Sequence, residues 1–178
     1  MSTPAHIPET VLQLLADSGI DHHVVSHPPL MTVEDSKRLR GDIDATHVKN
    51  LFLRDKKRNY FLVTTREDAF IDLKELRNSL GASGSLGFAS EERLWEVLAI
   101  RPGAVSPLAL LNDRDNAVRF FLDQELSHAA MIAVHPLINE LTVVMPTSDL
   151  LRLIAAEGNP ATLIALEGAP DQAGPVAT

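Results

Sequence analysis

Apolar residues recur at helical spacing near the start of the chain. Val11, Leu14 and Leu15 fall on one face between Pro8 and Ser18, which predicts an amphipathic helix. Pro8 suits its first turn and Gly19 its end. Asp21 to Ser26 is short and Val-bearing and predicts a strand. His27-Pro28-Pro29 must stay extended, because proline disfavours α geometry in the residue before it. Thr32 can then cap a helix from Val33 to about Arg40, with Asp35 three residues on. Bulky residues alternate from His47 to Arg54 and again from Tyr60 to Thr65. The polar stretch Asp55 to Asn59 between them completes a β-hairpin.

Asp72 with Glu75 opens a short helix to Leu80, and a Gly/Ser-rich loop follows from Gly81 to Gly87. Leu86 and Phe88 suit a short strand, and Ser90 caps a helix through Leu98. Pro107 to Leu111 is apolar without a clear period. Val118 to Leu122, Met131 to His135 and Glu140 to Met145 predict three strands. Thr147 is expected to cap a last helix, Leu150 to Ala156, before a strand within Ala161 to Leu166. This order predicts one α/β (α+β) domain over residues 1–166. Its sheet is mixed and largely antiparallel, flanked by helices, without a regular βαβ repeat. Residues 167–178 are rich in Ala, Gly and Pro and predict a disordered tail.

At 178 residues the chain suits one domain and can bury about 70% of its unfolded surface, so it needs no staples. It has no Cys, which excludes disulfides, thiolate metal sites and cysteine nucleophiles. No apolar run approaches the ~20 residues of a membrane span. Met1 to Pro8 lacks the basic flank and apolar core of a secretory signal, so a cytoplasmic protein is expected. The net charge of −8 is unevenly placed. Residues 37–77 hold eleven Lys and Arg against seven acids, while residues 120–178 hold Arg152 against seven acids. One basic segment in an acidic protein can hold a polyanion, or its bases can simply solvate a hairpin tip.

The loop from Gly81 to Gly87 follows a helix and lacks a Lys-Ser/Thr ending, so it reads as a connector and not a nucleotide loop. No Gly-x-Ser-x-Gly elbow is present. His22 and His23 would point to opposite faces of a strand, which speaks against a shared metal. Lys49 shares a strand face with Leu51 and Leu53, so it is an edge lysine, is paired, or faces a cleft. His135 closes an apolar strand that Pro136 stops; it is a core histidine or a site residue. Gly103 and Pro107 bracket a Gly-x-x-x-Pro segment in which a backbone N–H could approach a ligand closely.

Several segments occur together in this order: His27-Pro28-Pro29 with Thr32-Val33-Glu34, Lys49-Asn50-Leu51-Phe52-Leu53, Gly103 to Pro107, and Val134-His135-Pro136 with Asn139. Over about residues 5–166 the chain thereby resembles the YbaK-like, prolyl-tRNA-synthetase-associated domain family, most of all its free-standing Ala-tRNA(Pro) deacylases. The resemblance implies a barrel-like mixed sheet and hydrolysis of the ester between a wrong amino acid and tRNA(Pro). It implies Lys49, Gly103 and His135 as catalytic residues, with Asn50, Val33, Thr32, Pro107 and Asn139 at the substrate. Lys37, Arg38, Arg40, Arg54, Lys56, Lys57 and Arg58 would meet the tRNA. Val33 and its helix would wall the amino-acid pocket against proline. Prolyl-tRNA synthetase is the further partner implied; no cofactor, metal, DNA or membrane is. Two alternatives remain open: a deacylase of another mischarged tRNA such as Cys-tRNA(Pro), and a non-catalytic tRNA- or synthetase-binding module.

Overall fold

The computed structural model describes residues 5–166; the expected tail, 167–178, lies outside the described residues. The helices are α1 (Pro8–Asp17), α2 (Val33–Leu39), α3 (Leu73–Ser79), α4 (Glu91–Leu98) and α5 (Thr147–Ala156). The strands are β1 (His23–Ser26), β2 (Thr46–Asp55), β3 (Tyr60–Arg66), β4 (Leu86–Phe88), β5 (Val118–Asp123), β6 (Met131–Val134), β7 (Leu141–Pro146) and β8 (Thr162–Ile164). Nearly every predicted element is present. Pro107–Asn112, without a clear period in sequence, is a 3-10 turn. No described helix is long and apolar enough to cross a membrane.

The caps explain most boundaries. Thr32 accepts the Asp35 N–H at 3.0 Å, Asp72 accepts the Lys74 N–H at 2.7 Å, and Ser90 accepts the Arg93 N–H at 3.3 Å. Thr147 departs from expectation. It is the first residue of α5, Pro146 holds the cap position, and the buried Thr147 hydroxyl has no partner among the described residues. Proline at that position ends β7, and the helix begins at Thr147, three residues before the expected Leu150.

The strands follow the order β1-β7-β6-β2-β3-β5-β8, with β4 on β2. Four pairings are antiparallel and three, β2 with β6, β3 with β5 and β5 with β8, are parallel, so the sheet is mixed and mostly antiparallel. The pairings leave β1 and β8 as the two ends of the path. Alternation divides the side chains between two apolar layers. Phe52, Leu62 and Phe120, paired across β2, β3 and β5, face the larger core with α1, α4, the 3-10 turn and α5. Leu53, Phe61, Val63 and Phe121 face the smaller core under α3.

The hairpin tip is tied down by a buried carboxylate. Asp55 accepts from the Asn59 N–H at 2.9 Å, the Asn59 side-chain amide at 2.8 Å and the Ser83 N–H at 2.8 Å. The Gly/Ser loop is thereby strapped to the hairpin. Burial alone would raise the Asp55 carboxyl, but hydrogen bonds from the Asn59 side chain and the N–H groups of Ser83, Asn59 and Lys57 outweigh it and hold it below the ordinary value of 3.8. A depressed carboxyl contributes stability above its unfolded value and loses it as pH falls through the folded one. Asp55→Ala should therefore cost about 1–3 kcal/mol near neutral pH. In urea unfolding, the gap between wild type and variant should shrink below about pH 4.

Candidate functional site

β2 and β6 run parallel for only two paired positions, Thr46 with Ile132 and His47 with Ala133. Beyond them the strands part. Pro136 has no N–H to extend the ladder, and Leu137 turns the chain at φ 66°. β4 occupies the same edge of β2 only from Leu53 onward. In the gap lies a pocket lined by Val48, Asn50, Ala133, Val134 and His135, closed by Ser36 of α2, Arg40 at its C-terminal cap, His47 of β2 and Thr142 of β7. Asn50 and His135 are thus brought together by the split in the sheet.

Hydrogen bonds fix the polarity of this pocket. His135 Nδ1 lies 2.8 Å from the Leu141 carbonyl, which only accepts, so Nδ1 carries the proton. Burial lowers the His135 pKa below 6.5; the Leu141 contact raises it in part and nearby His27 lowers it further. The neutral ring leaves Nε2 as an acceptor. Its neighbour His27, 6.0 Å away between ring centroids, uses Nδ1 on the Pro28 carbonyl at 2.9 Å and Nε2 on the Thr142 hydroxyl at 2.7 Å. His47 is also pushed down, first by burial and then by the Arg40 charge, which its Ile43 contact and Glu67 oppose. Among the described residues no three His, Cys, Asp or Glu side chains gather as a metal site requires.

Lys49 does not enter the Asn50 pocket. Adjacent strand residues face opposite ways, so Lys49 lies with Leu51 and Leu53 on the smaller-core side. β2 is interior to the sheet path, but beside Lys49 its edge toward β6 is unpaired. The Lys49 ammonium donates to the Ala69 carbonyl in the loop after β3. Burial lowers its pKa, Asp68 raises it and Lys37 lowers it. Lys49 is therefore a partly desolvated cation on the sheet face opposite Asn50, and its hydrogen bond also holds a loop.

Other predicted residues separate. Gly103, at φ +87°, lies outside the pocket lining; a Cβ there would meet Asn139 Nδ2 at 2.8 Å, the Met31 sulfur at 3.0 Å and the Leu30 carbonyl at 3.2 Å. The glycine lets protein loops close on each other. Asn139 donates to the Leu30 carbonyl at 3.2 Å, stitching the 27–31 loop to the turn after β6. Pro107 is buried at the start of the 3-10 turn, whose cap is Ser106. Thr32 is spent on capping α2, and Val33 does not line the pocket. The wall on this side is Ser36 of α2 and Arg40 at its C-terminal cap instead, joined by a hydrogen bond from Arg40 to the Ser36 hydroxyl. The polar residues Ser36 and Thr142 carried no motif, and only the fold reveals them.

The bases also divide. Arg40 is gripped by both Glu67 oxygens, at 2.6 and 3.1 Å, and only 14% of its side chain is exposed, so it is a wall and not a free cation. Arg38 is exposed beside Asp35 at 3.1 Å, and Lys37 is near Lys49. The Arg54 Nε is buried without a partner among the described residues. Lys56 packs its stem against Gly84, while Lys57 and Arg58 are exposed at the tip. The tip lies about 20 Å from Asn50 along β2, at some 3.4 Å per residue.

The aminoacyl-tRNA editing domain family matches residues 27–153. The chain is 38% identical over 152 residues to "Prolyl-tRNA editing protein ProX" of Acetoanaerobium sticklandii, covering 85% of this chain and 92% of that protein. It is 37% identical over 153 residues to "Prolyl-tRNA synthetase associated domain-containing protein 1" of Danio rerio, covering 85% and 83%. A solved structure titled as a candidate trans-editing enzyme for prolyl tRNA synthetase shares the fold at TM-score 0.66 and 17% identity, over 92% of this chain and 99% of that one. The chain belongs to the aminoacyl-tRNA editing domain family and is by that membership an aminoacyl-tRNA deacylase.

Proposed function

We propose that the pocket between β2 and β6 hydrolyses alanine from mischarged tRNA(Pro). The observation that carries this reading is the paired polarity of two pocket residues. Asn50 offers an amide N–H, and the neutral His135 ring offers a lone pair. An aminoacyl ester presents the complement: a carbonyl oxygen that gains negative charge and an amino group or water that donates. The name of the Acetoanaerobium relative supports tRNA(Pro) as the carrier. The work would take place in the cytoplasm, with prolyl-tRNA synthetase as the enzyme whose errors are corrected.

In this mechanism the Asn50 N–H donates to the ester carbonyl oxygen as charge develops there. His135 Nε2 accepts from the bound amino acid or from the attacking water and fixes its orientation. The water oxygen bonds to the acyl carbon, and the bond from that carbon to the ribose oxygen breaks. The neighbouring ribose hydroxyl relays a proton to the leaving oxygen, so no strong protein base is required. Lys49, with Lys37 close by, takes the terminal phosphate as a point charge. Gly103 contributes by letting the loops around Asn139 and Leu30 close, and donation to the ester falls to Asn50. Lys56, Lys57 and Arg58 meet tRNA farther from the ester, Arg38 and Arg54 flank that path, and the Arg40 and Ser36 wall limits the side chain admitted.

Such an enzyme answers a physical limit. A synthetase pocket shaped for proline rejects smaller alanine weakly, because each missing methylene is worth about 1–3 kcal/mol. A second pocket that admits a methyl and excludes the ring completes a double sieve.

Deacylation of Ala-, Cys-, Ser- and Pro-tRNA(Pro) tests the reading. Alanine should be released fastest and proline spared; faster release of cysteine, or equal release of proline, refutes the alanine assignment. Lys49→Ala should lose most turnover. Its hydrogen bond to Ala69 also predicts a loss of stability, so activity must be compared per folded molecule by circular dichroism and urea unfolding. Since the acceptor form of His135 is neutral and its pKa is lowered, enzymatic turnover should hold from pH 8 through 6.5 and fall only below that. An NMR titration of the His135 ring should show its midpoint below 6.5. Replacing Lys56, Lys57 and Arg58 together by Ala should weaken tRNA binding and flatten its salt dependence, by somewhat under one log unit for each phosphate no longer neutralised. An unchanged slope would assign the tip to solvation alone.

A further inference from the structure

We propose that Thr64 is a positioning residue that holds the Asn50 side-chain amide with its N–H toward the pocket. The inference rests on the assignment of Asn50 as a donor to substrate. Thr64 is the cross-strand partner of Asn50 in the β2–β3 register, so the two side chains rise from the same sheet face. Thr64 is fully buried, and its next partner across β5 is Leu122 of the larger core. Burying a hydroxyl there without a partner would be costly. It has one in Asn50: Thr64 Oγ1 donates to Asn50 Oδ1 at 2.6 Å.

In the structure this bond sets the carboxamide with its oxygen on Thr64. Its oxygen and nitrogen ends have nearly the same shape, and a half-turn exchanges acceptor for donors. With Oδ1 engaged by a hydroxyl that the core holds in place, Nδ2 becomes the end available to the pocket. Nδ2 makes no hydrogen bond to any described protein atom, whereas Asn50 lines the pocket. A donor is therefore set in advance at the pocket wall, before any substrate arrives. Preorganised donors act without the cost of turning at the moment of reaction.

Thr64→Val keeps the shape and removes the hydroxyl; Thr64→Ser keeps the hydroxyl and removes the methyl. With Ala-tRNA(Pro), Thr64→Val should lower kcat about tenfold and change KM by less than twofold, while Thr64→Ser stays within about threefold of wild type. Thr64→Ala provides a second deletion should the valine protein not fold. The side-chain amide signals of Asn50 in a 1H–15N spectrum, assigned by their loss in Asn50→Ala, give a readout independent of turnover. They should match wild type in Thr64→Ser and shift or broaden in Thr64→Val and Thr64→Ala. Wild-type kcat in both deletions, or Asn50 signals unmoved by them, overturns the proposal. A packing role alone would impair serine as much as valine and leave those signals in place. If the wild-type protein releases no amino acid from any tRNA in the panel, the functional reading fails, and the spectra still decide what Thr64 does.

Discussion

The early parting of β2 from β6 is the feature on which the site depends. Two parallel strands that continued side by side would satisfy each other's backbone and close the sheet. Here the pairing stops after His47 and Ala133, and β4 joins the same edge only at Leu53. The intervening edge of β2 borders the pocket. Pro136 and the positive φ of Leu137 supply the local cause, because the chain there cannot donate to a ladder and must turn. Asn50 in β2 and His135 just after β6 are far apart in sequence, and this split sets them on one cavity.

A second consequence comes from the interior position of β2. Apolar layers cover both of its faces, so alternation assigns every side chain to one side or the other. Asn50 goes to the larger core and Lys49 to the smaller. The pocket thus keeps fixed hydrogen-bond directions, while the Lys49 cation lies on the opposite face, tied to the Ala69 loop. Separation of the charge from the pocket is compatible with a neutral His135, since a lysine turned into the same cavity would compete for its hydrogen bonds. Arg40, the cation that does reach the pocket wall, is neutralised by Glu67.

The loops around the pocket are joined by polar contacts. The Leu30 N–H donates to the Asn139 carbonyl, the Asn139 amide donates to the Leu30 carbonyl, and His27 reaches Thr142. Gly103 permits this closeness, for any Cβ would strike Asn139 and the Met31 sulfur. The histidine, glycine and asparagine of the sequence motifs thus serve partly as joints between loops.

Much of the architecture was legible in the sequence. Alternation in the hairpin, caps at Thr32, Asp72 and Ser90, and the strand ended by His135-Pro136 are local signals, and local signals dictate local structure. The ordered segments from His27 to Asn139 also carried the family, which the similarity to known editing proteins shows. Thr147 misled because a hydroxyl before a helical run looks like a cap, while Pro146 already held that place. What sequence could not give was company. It put Lys49 beside Asn50, but strand geometry turns them apart. It offered Val33 as a pocket wall, but the docking of α2 presents Ser36 and Arg40. It counted Arg40 among the free bases, but a glutamate 27 residues away claims it. Each of these depends on which surfaces meet across the fold, and long-range packing and pairing decide that, not the order of residues along the chain.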